Sequence, residues 1–459
     1  MYGTIRVPRA ARLPRPTASA RLRAARVGVF ALYATAGLLV GVWSGSIPLV
    51  AHRAGVTPGV LGVLVLVSSA GIVAGANVGG RVQQRSGSIG LCICGLGLAG
   101  FGAFVVGFSG DAWLLCCAFT IFAFGMGLND VGMNMQAVLV ERAYRRPIMA
   151  AFHAFFSLGG AVGALTILVT VGLRWTVPGQ LTFAGAVAVA LVALAAPALV
   201  RKAEEPPGPQ DAATEPATPV ASAGAGDDIV LGPTGWPEYR RDTEPEPPRR
   251  ARAPRVPMTR VAWLLGICAL ALMCTEGVAI DWSALQLTQA FGAAAGVSAF
   301  GYGVFAVAMT GGRLVVDRVA ARVGPAAVLR AGALLGAAGL VVVVVSPSIW
   351  LALAGWGALG LGLCGGVPQV FTAAGNQQHS AVVLSRVLTL GYVGIFGGPA
   401  LIGLFAQATS VTLAMLLPLV LLLVAVLAGG VLRSARGVTT SAPRLRSPRA
   451  PGSRQATSE

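Results

Sequence analysis

The sequence predicts an all-α membrane protein, with twelve transmembrane helices in two pseudo-symmetric six-helix bundles. Three observations carry this. Of 459 residues, 55% are hydrophobic and only 11% charged, whereas a soluble domain carries roughly 25% charged residues. The apolar residues gather into twelve runs, most of them near the roughly 20 residues a helix needs to cross a bilayer. The second six runs repeat features of the first six in the same order. Helices satisfy their backbone hydrogen bonds internally where no water is available, so the runs are read as helices.

In chain order the expected spans are 27–50, 59–80, 89–108, 112–140, 148–172, 178–200, 259–289, 296–318, 325–345, 349–373, 381–406 and 410–432. They divide the chain into an Arg-rich N-terminal tail (1–26), a first bundle (27–200), a connector (201–258), a second bundle (259–433) and a basic C-terminal tail (434–459). Residues 1–26 do not read as a cleavable signal. The apolar run behind them is too long for a signal core, and more spans follow. The connector holds 12 prolines, eight basic and ten acidic residues, with almost no periodicity. That composition predicts disorder.

A formal net charge of +17 is of the kind found in nucleic-acid-binding proteins. Its placement argues otherwise. With the N-terminus inside, 32 of the 34 Lys and Arg residues fall on cytoplasmic segments and helix ends, and only Arg53 and Arg174 fall outside. This is the positive-inside bias, and it predicts that both termini are cytoplasmic. The basic tails also suit contact with anionic lipid. The expected location is a bacterial-type cytoplasmic membrane, and the expected state is a monomer.

Enzymatic chemistry finds no support. The seven cysteines all lie within expected spans, their number is odd, and no CxxC pair occurs. They read as small packing residues, with no disulfide framework or metal site. His52, His153 and His379 lie in different segments. "GLGLAG" (95–100) and "GLGLCG" (360–365) match a dinucleotide GxGxxG, but both sit inside apolar spans with no preceding strand. No cofactor is expected. Glycines such as Gly159 and Gly163 read instead as close-approach positions between helices.

The two halves align. "AGANVGGRVQQRSG" (74–87) matches "GGRLVVDRVAARVG" (311–324) at an offset of 237, pairing Gly75, Arg81, Arg85 and Gly87 with Gly312, Arg318, Arg322 and Gly324. Small slips pair Trp43-Ser44 with Trp282-Ser283, and "AFGMGL" (123–128) with "ALGLGL" (358–363). The common order points to a duplicated six-helix unit, and parallel repeats of this kind are a known transporter architecture.

Residues 27–433 resemble the major facilitator superfamily in their span count, long central loop and basic loop between spans 2 and 3. That loop, "GRVQQRSGS" (80–88), resembles the family's signature there. It keeps Gly80, Arg85 and Gly87 but has Gln84 where the family usually has aspartate. The resemblance implies gating roles for Gly80, Arg85 and Gly87, and for Asp317, Arg318 and Arg322 in the second half. "GLNDVGMN" (127–134) resembles the span-4 motif of the fucose–proton symporter branch, with Asp130 and Asn134 at its acid and asparagine; Met135 replaces the proline that follows. "ERAYRRPIMAAFHAFFSLGG" (141–160) and "TEGVAIDWSA" (275–284) resemble a poorly characterised bacterial subgroup of the superfamily. "GIFGGPALIG" (394–403) is expected to bend span 11 at Pro399. It resembles a motif that proton–drug antiporters carry in span 5, where this chain has no proline.

Three acids lie within spans: Asp130, Glu276 and Asp281. A charge at mid-bilayer costs about 2.5–3.5 kcal/mol on insertion scales, so such residues usually face a cavity or a partner. No basic residue is expected at comparable depth. An unpaired, desolvated carboxyl favours its protonated form and can exchange a proton, so these three are the candidate proton-coupling groups; the alternative is a carboxyl held structurally by a neighbouring helix. Asp130 and Asn134 are one turn apart and share a face. Asn129 and Gln136 lie on an adjoining stripe, where either a cavity role or bonds to neighbouring helices would serve. Glu276 and Ser283 share a face of span 7, while Asp281 lies about 140° around it, so the pattern leaves open that one of the two acids faces packing. Trp43 and Trp282 occupy matched places and are candidates for stacking on a solute, or for interfacial anchoring. Gln369 falls opposite Asn134 and is a further contact candidate. His153 reads as a helix contact or a proton relay.

The leading expectation is a secondary carrier that imports a small polar solute with protons by alternating access. The alternatives are an exporter of a small organic compound and a membrane receptor or scaffold using the connector to bind a partner.

Overall fold

The computed structural model describes residues 18–144, 148–201, 258–377 and 380–432. Among them every regular element is helical. Twelve helices are long and apolar enough to cross a membrane. Spans 1–6 are Ala20–Arg53, Pro58–Gln83, Gly87–Phe108, Ala112–Tyr144, Ala151–Gly172 and Val177–Ala198; spans 7–12 are Arg260–Phe291, Ala295–Val323, Pro325–Val345, Ile349–Gly375, Val382–Ala408 and Val411–Ala428. Large side chains such as Phe101, Leu165, Leu314 and Leu404 stand exposed on the outside, the surface a bilayer would cover. The tails 1–17 and 433–459, and residues 202–257 of the connector, lie outside the described residues.

Polar side chains mark the span ends. Thr57, Thr176, Thr259 and Ser348 each accept a backbone N–H in the first turn of the helix that follows, the usual N-cap arrangement. At the start of span 5 the acceptor is the Glu141 carboxylate, which takes the N–H groups of Ile148 and Met149 at 2.8 and 2.7 Å. Span 1 begins earlier than the apolar run because Arg21 is used. Its guanidinium donates to the carbonyls of Pro197, Ala198 and Leu199 at 2.9, 3.1 and 2.8 Å, satisfying carbonyls at the end of span 6 that have no partner further along a helix.

The duplication is visible in the backbone. Gly87 turns the chain from span 2 into span 3 with φ 72° and ψ 171°. Its partner in the sequence repeat, Gly324, turns span 8 into span 9 with φ 87° and ψ 156°. A side chain is strained at such φ, so both turns require glycine. The helix pairings also recur six spans on: span 1 packs on span 5 as span 7 packs on span 11, and spans 2 and 3 pack on span 4 as spans 8 and 9 pack on span 10. Gly159 and Gly163 lie directly against span 1 at Ala34 and Leu38, a small-residue contact that lets the backbones touch.

Span 11 is a single helix, Ser380–Ala408, with Pro399 inside it. Span 10 is interrupted at Cys364–Gly365, between helices Ile349–Leu363 and Gly366–Gly375.

Successive spans alternate in direction, so the turns fall on two faces. The tail face carries the start of span 1, the connector and the end of span 12. The distal face carries the turns after spans 1, 3, 5, 7, 9 and 11. The bundles join near the distal face, along spans 1 and 7, 2 and 11, and 5 and 8. Gly59 N–H donates to Gln407 Oε1 at 3.2 Å, Gly62 lies against Gly403 and Ala400, and Gly296 lies against Leu168. Deeper in, Trp43 Nε1–H donates to Asp281 Oδ1 at 3.0 Å, and the Ser44 hydroxyl donates to the Ile280 carbonyl.

Candidate functional site

Span 4 positions the first candidate group. One helical turn separates Asp130 from Asn134, and the amide closes that gap. Asn134 Nδ2 donates to the Asp130 carbonyl at 2.8 Å and to Asp130 Oδ1 at 2.9 Å. The fully buried Tyr33 on span 1 completes the chain, its hydroxyl donating to Asn134 Oδ1 at 2.7 Å. That bond fixes which way the amide points. Tyr33 is itself held by Phe152 and by the edge of the His153 ring, with centroids at 5.7 and 5.1 Å. Asp130 and Asn134 are half-buried. Among the described residues Asp130 has no cationic partner.

The other two acids have different surroundings. Asp281 lies at the boundary between bundles, bonded to Trp43, whose ring stacks on Phe119 with centroids 3.8 Å apart. Glu276 has a cation beside it: Arg313 Nη2 stands 3.4 Å from Glu276 Oε1. This corrects the expectation that no basic residue reaches the depth of the acids. Arg313 lies in span 8, ten residues from its end at Val323, about 15 Å along the helix. It is not one of the basic residues at the tail face. Its Nη1 crosses to the first bundle, donating to Ser157 Oγ at 2.6 Å and to the His153 carbonyl at 3.4 Å. Both acids of span 7 therefore lie where the bundles meet, by separate routes.

Several candidates lie in helix packing. Trp282 is fully buried, and its indole donates to the Pro399 carbonyl on span 11 at 3.0 Å. The matched tryptophans thus share backbone positions but not surroundings: Trp43 faces the bundle boundary, and Trp282 points into its own bundle. Asn129 is also fully buried; its amide meets Met133 Sδ at 3.3 Å and its backbone presses on Gly95. Gln136 is a clamp. Its Nε2 donates to Ser88 Oγ at 2.7 Å and to the Val200 carbonyl at 2.8 Å, and its Oε1 accepts the Val200 N–H at 2.9 Å. Trp282 and Asn129 are thus enclosed by helix packing in this conformation. Gln369 is half-buried on the second helix of span 10.

The family model for the Major Facilitator Superfamily matches residues 29–376. The chain belongs to the major facilitator superfamily. An uncharacterized MFS-type transporter of Yersinia pestis is 30% identical over 410 residues, covering 88% of this chain and 93% of the relative. Among solved structures, a D-xylose–proton symporter superposes with a TM-score of 0.62 at 13% identity, over 89% of this chain and 97% of that one. The E. coli fucose–proton symporter superposes with a TM-score of 0.54 at 15% identity, over 91% and 99%. At such identities these structures share the fold. This superfamily member is a multi-pass membrane transporter.

Its tail-face turns hold the residues that resemble the superfamily's gating signature. Gly87 makes the turn itself, while a Cβ on Gly80 would meet nothing within 4 Å. The Arg85 side chain lies outside the described residues. Asp317, Arg318 and Arg322 are exposed, and the Arg318 guanidinium donates to the Leu314 carbonyl at 3.3 Å. Among the described residues Asp317 pairs with neither arginine.

Tyr33, Ser157 and Arg313 were missed. Arg313 had a signal: the repeat alignment sets it opposite Ala76, inside span 2. Tyr33 and Ser157 carry no such mark, being single polar residues in apolar helices.

Proposed function

We propose that this transporter takes up a small polar solute together with protons, by alternating access across a bacterial-type cytoplasmic membrane. One observation carries the reading. The Asp130 carboxyl lies in the middle of span 4, half-buried and hydrogen-bonded by Asn134, with no cation beside it among the described residues. A carboxyl with only neutral partners can gain and lose a proton without breaking an ion pair. Asn134 can donate to Oδ1 in either state, because a carboxylate and a carboxylic acid both accept there.

Asp281 takes the second role. It accepts from Trp43 across the bundle boundary, so its state bears on closure of the distal face. Glu276 belongs instead to the charge-balanced pair with Arg313. Trp43, Asn134 and Gln369 remain the proposed solute-facing residues. The turns at Gly80, Arg85 and Gly87, and at Asp317, Arg318 and Arg322, are the proposed gate of the tail face. The tail face is cytoplasmic by the distribution of basic residues. The protein acts as a monomer, with its basic tails on anionic lipid. The fold shared with the D-xylose–proton and fucose–proton symporters agrees with this reading.

The test is proton flux in proteoliposomes. Adding a transported solute outside should draw protons inward in the absence of any imposed gradient. Protons leaving as solute enters would assign an exchanger or exporter, and solute uptake without proton movement would remove the coupling.

A further inference from the structure

Arg313 is more than a cation at unexpected depth. A guanidinium inside a span is costly and is found where it meets a partner or a water-filled cavity. Its two neutral contacts, Ser157 Oγ at 2.6 Å and the His153 carbonyl at 3.4 Å, both use Nη1 and come from the first bundle. Among the described residues its carboxylate contact is a single approach from Nη2 to Glu276 Oε1 at 3.4 Å. Charge-assisted N–H···O bonds run nearer 2.7–2.9 Å, and arginine meets carboxylates best through two parallel bonds. The fork is therefore held in place by Ser157 while its best carboxylate geometry goes unused. The pair is also not sealed: the Arg313 and Glu276 side chains keep 15% and 21% of their exposure. It lies where the two bundles meet, and transporter substrate sites fall near the midplane at the interface of the repeats.

We infer that Arg313 binds a carboxylate group of the transported solute, and that Glu276 competes with that carboxylate for the guanidinium. This rests on the transport reading and names a substrate class within it. A single guanidinium balances one negative charge, so the class is monocarboxylates and not doubly charged phosphates. The planar fork matches a carboxylate in a way that a lysine ammonium cannot.

The test is equilibrium binding to the full-length protein in lipid nanodiscs, read as thermal stabilisation. The probes are lactate, gluconate, glycolate and benzoate, each beside its neutral carboxamide, together with inorganic phosphate. At least one carboxylate should stabilise the protein in a saturable way while its carboxamide does not. Glu276→Gln, which keeps the shape of the side chain and removes its charge, should tighten that binding about tenfold or more. Arg313→Lys keeps the charge without the fork and should weaken it about tenfold. The Glu276→Gln/Arg313→Gln double variant leaves no buried charge uncompensated and should abolish it. The inference is overturned by any of three results: no carboxylate stabilises either wild type or Glu276→Gln, carboxamides or phosphate act as strongly as carboxylates, or Arg313→Lys binds like wild type. The assay applies no proton gradient. Its failure leaves proton coupling standing, and a failure of coupled uptake leaves the carboxylate site standing.

Discussion

Trp43 donates its indole N–H to Asp281 across the boundary between the two bundles, at 3.0 Å. The bond joins spans 1 and 7 about ten residues from their distal ends. The bond ties the two bundles together in this conformation, so it favours a distal face that stays closed. A hydrogen bond contributes about 0.5–1.5 kcal/mol net, enough to shift a two-state population by about two- to tenfold.

Asp281→Ala should therefore release the distal seal. Spin labels on the distal face at Arg53 and Ala293, in a background without the native cysteines, should report a longer mean separation than in wild type. Trp43→Phe should act in the same direction, because it keeps the stack on Phe119 and loses only the donor. Unchanged distance distributions in both variants would show that this bond does not hold the seal.

Spans 2 and 11 depend on contact between glycines. A Cβ on Gly62 would lie 2.9 Å from both the Ala400 carbonyl oxygen and Gly403 Cα. Backbone atoms cannot swing aside as a side chain does, so Gly62→Val should block this closed state. We expect the same label pair to show an open distal face, and transport to fall at least about tenfold, with membrane expression retained. Gly97→Ala, where nothing lies within 4 Å, is the matched control and should transport normally.

Gln136 should matter for stability rather than for solute. Gln136→Ala removes the partners that the Val200 N–H and carbonyl have now. Each buried polar group left unsatisfied costs about 1–3 kcal/mol. A lowered melting temperature in detergent is the expected reading, with the apparent solute affinity of the surviving protein unchanged. A melting temperature equal to wild type would show that the clamp is not needed.

Reporter fusions placed after Glu459 and within 225–235 should both report the cytoplasm. The basis is the distribution of Lys and Arg, not the coordinates. A periplasmic signal from either would reverse the assignment of the two faces.

The fold could be read from the sequence because bilayer length and hydropathy act on every span at once. The repeat alignment was also informative, since Gly87 and Gly324 answer the same backbone demand. The site was only partly legible. Asp130 and Asn134 meet through local helical geometry, which spacing alone reveals. Tyr33 reaches Asn134 from 101 residues away, and nothing in span 1 announces that contact. Arg313 was grouped with the basic residues beyond it, because the end of span 8 was expected near 318 and the helix runs to Val323. Trp282 shows the limit of the repeat: alignment matches backbone positions, while side-chain direction depends on what each bundle packs alongside, here the Pro399 carbonyl.

The central claim is that Asp130 carries the coupled proton. The most direct measurement compares solute accumulation on an imposed pH gradient with solute exchange at equilibrium, in proteoliposomes, for wild type, Asp130→Asn and Asp130→Glu. The solute is whichever one draws protons in the flux assay. Asp130→Asn keeps a polar group beside Asn134 but cannot ionise. It should retain exchange and lose accumulation, while Asp130→Glu, which keeps a titrating carboxyl, should accumulate in part. If Asp130→Asn concentrates solute on the gradient as well as wild type does, the coupled proton is carried elsewhere and the account is contradicted.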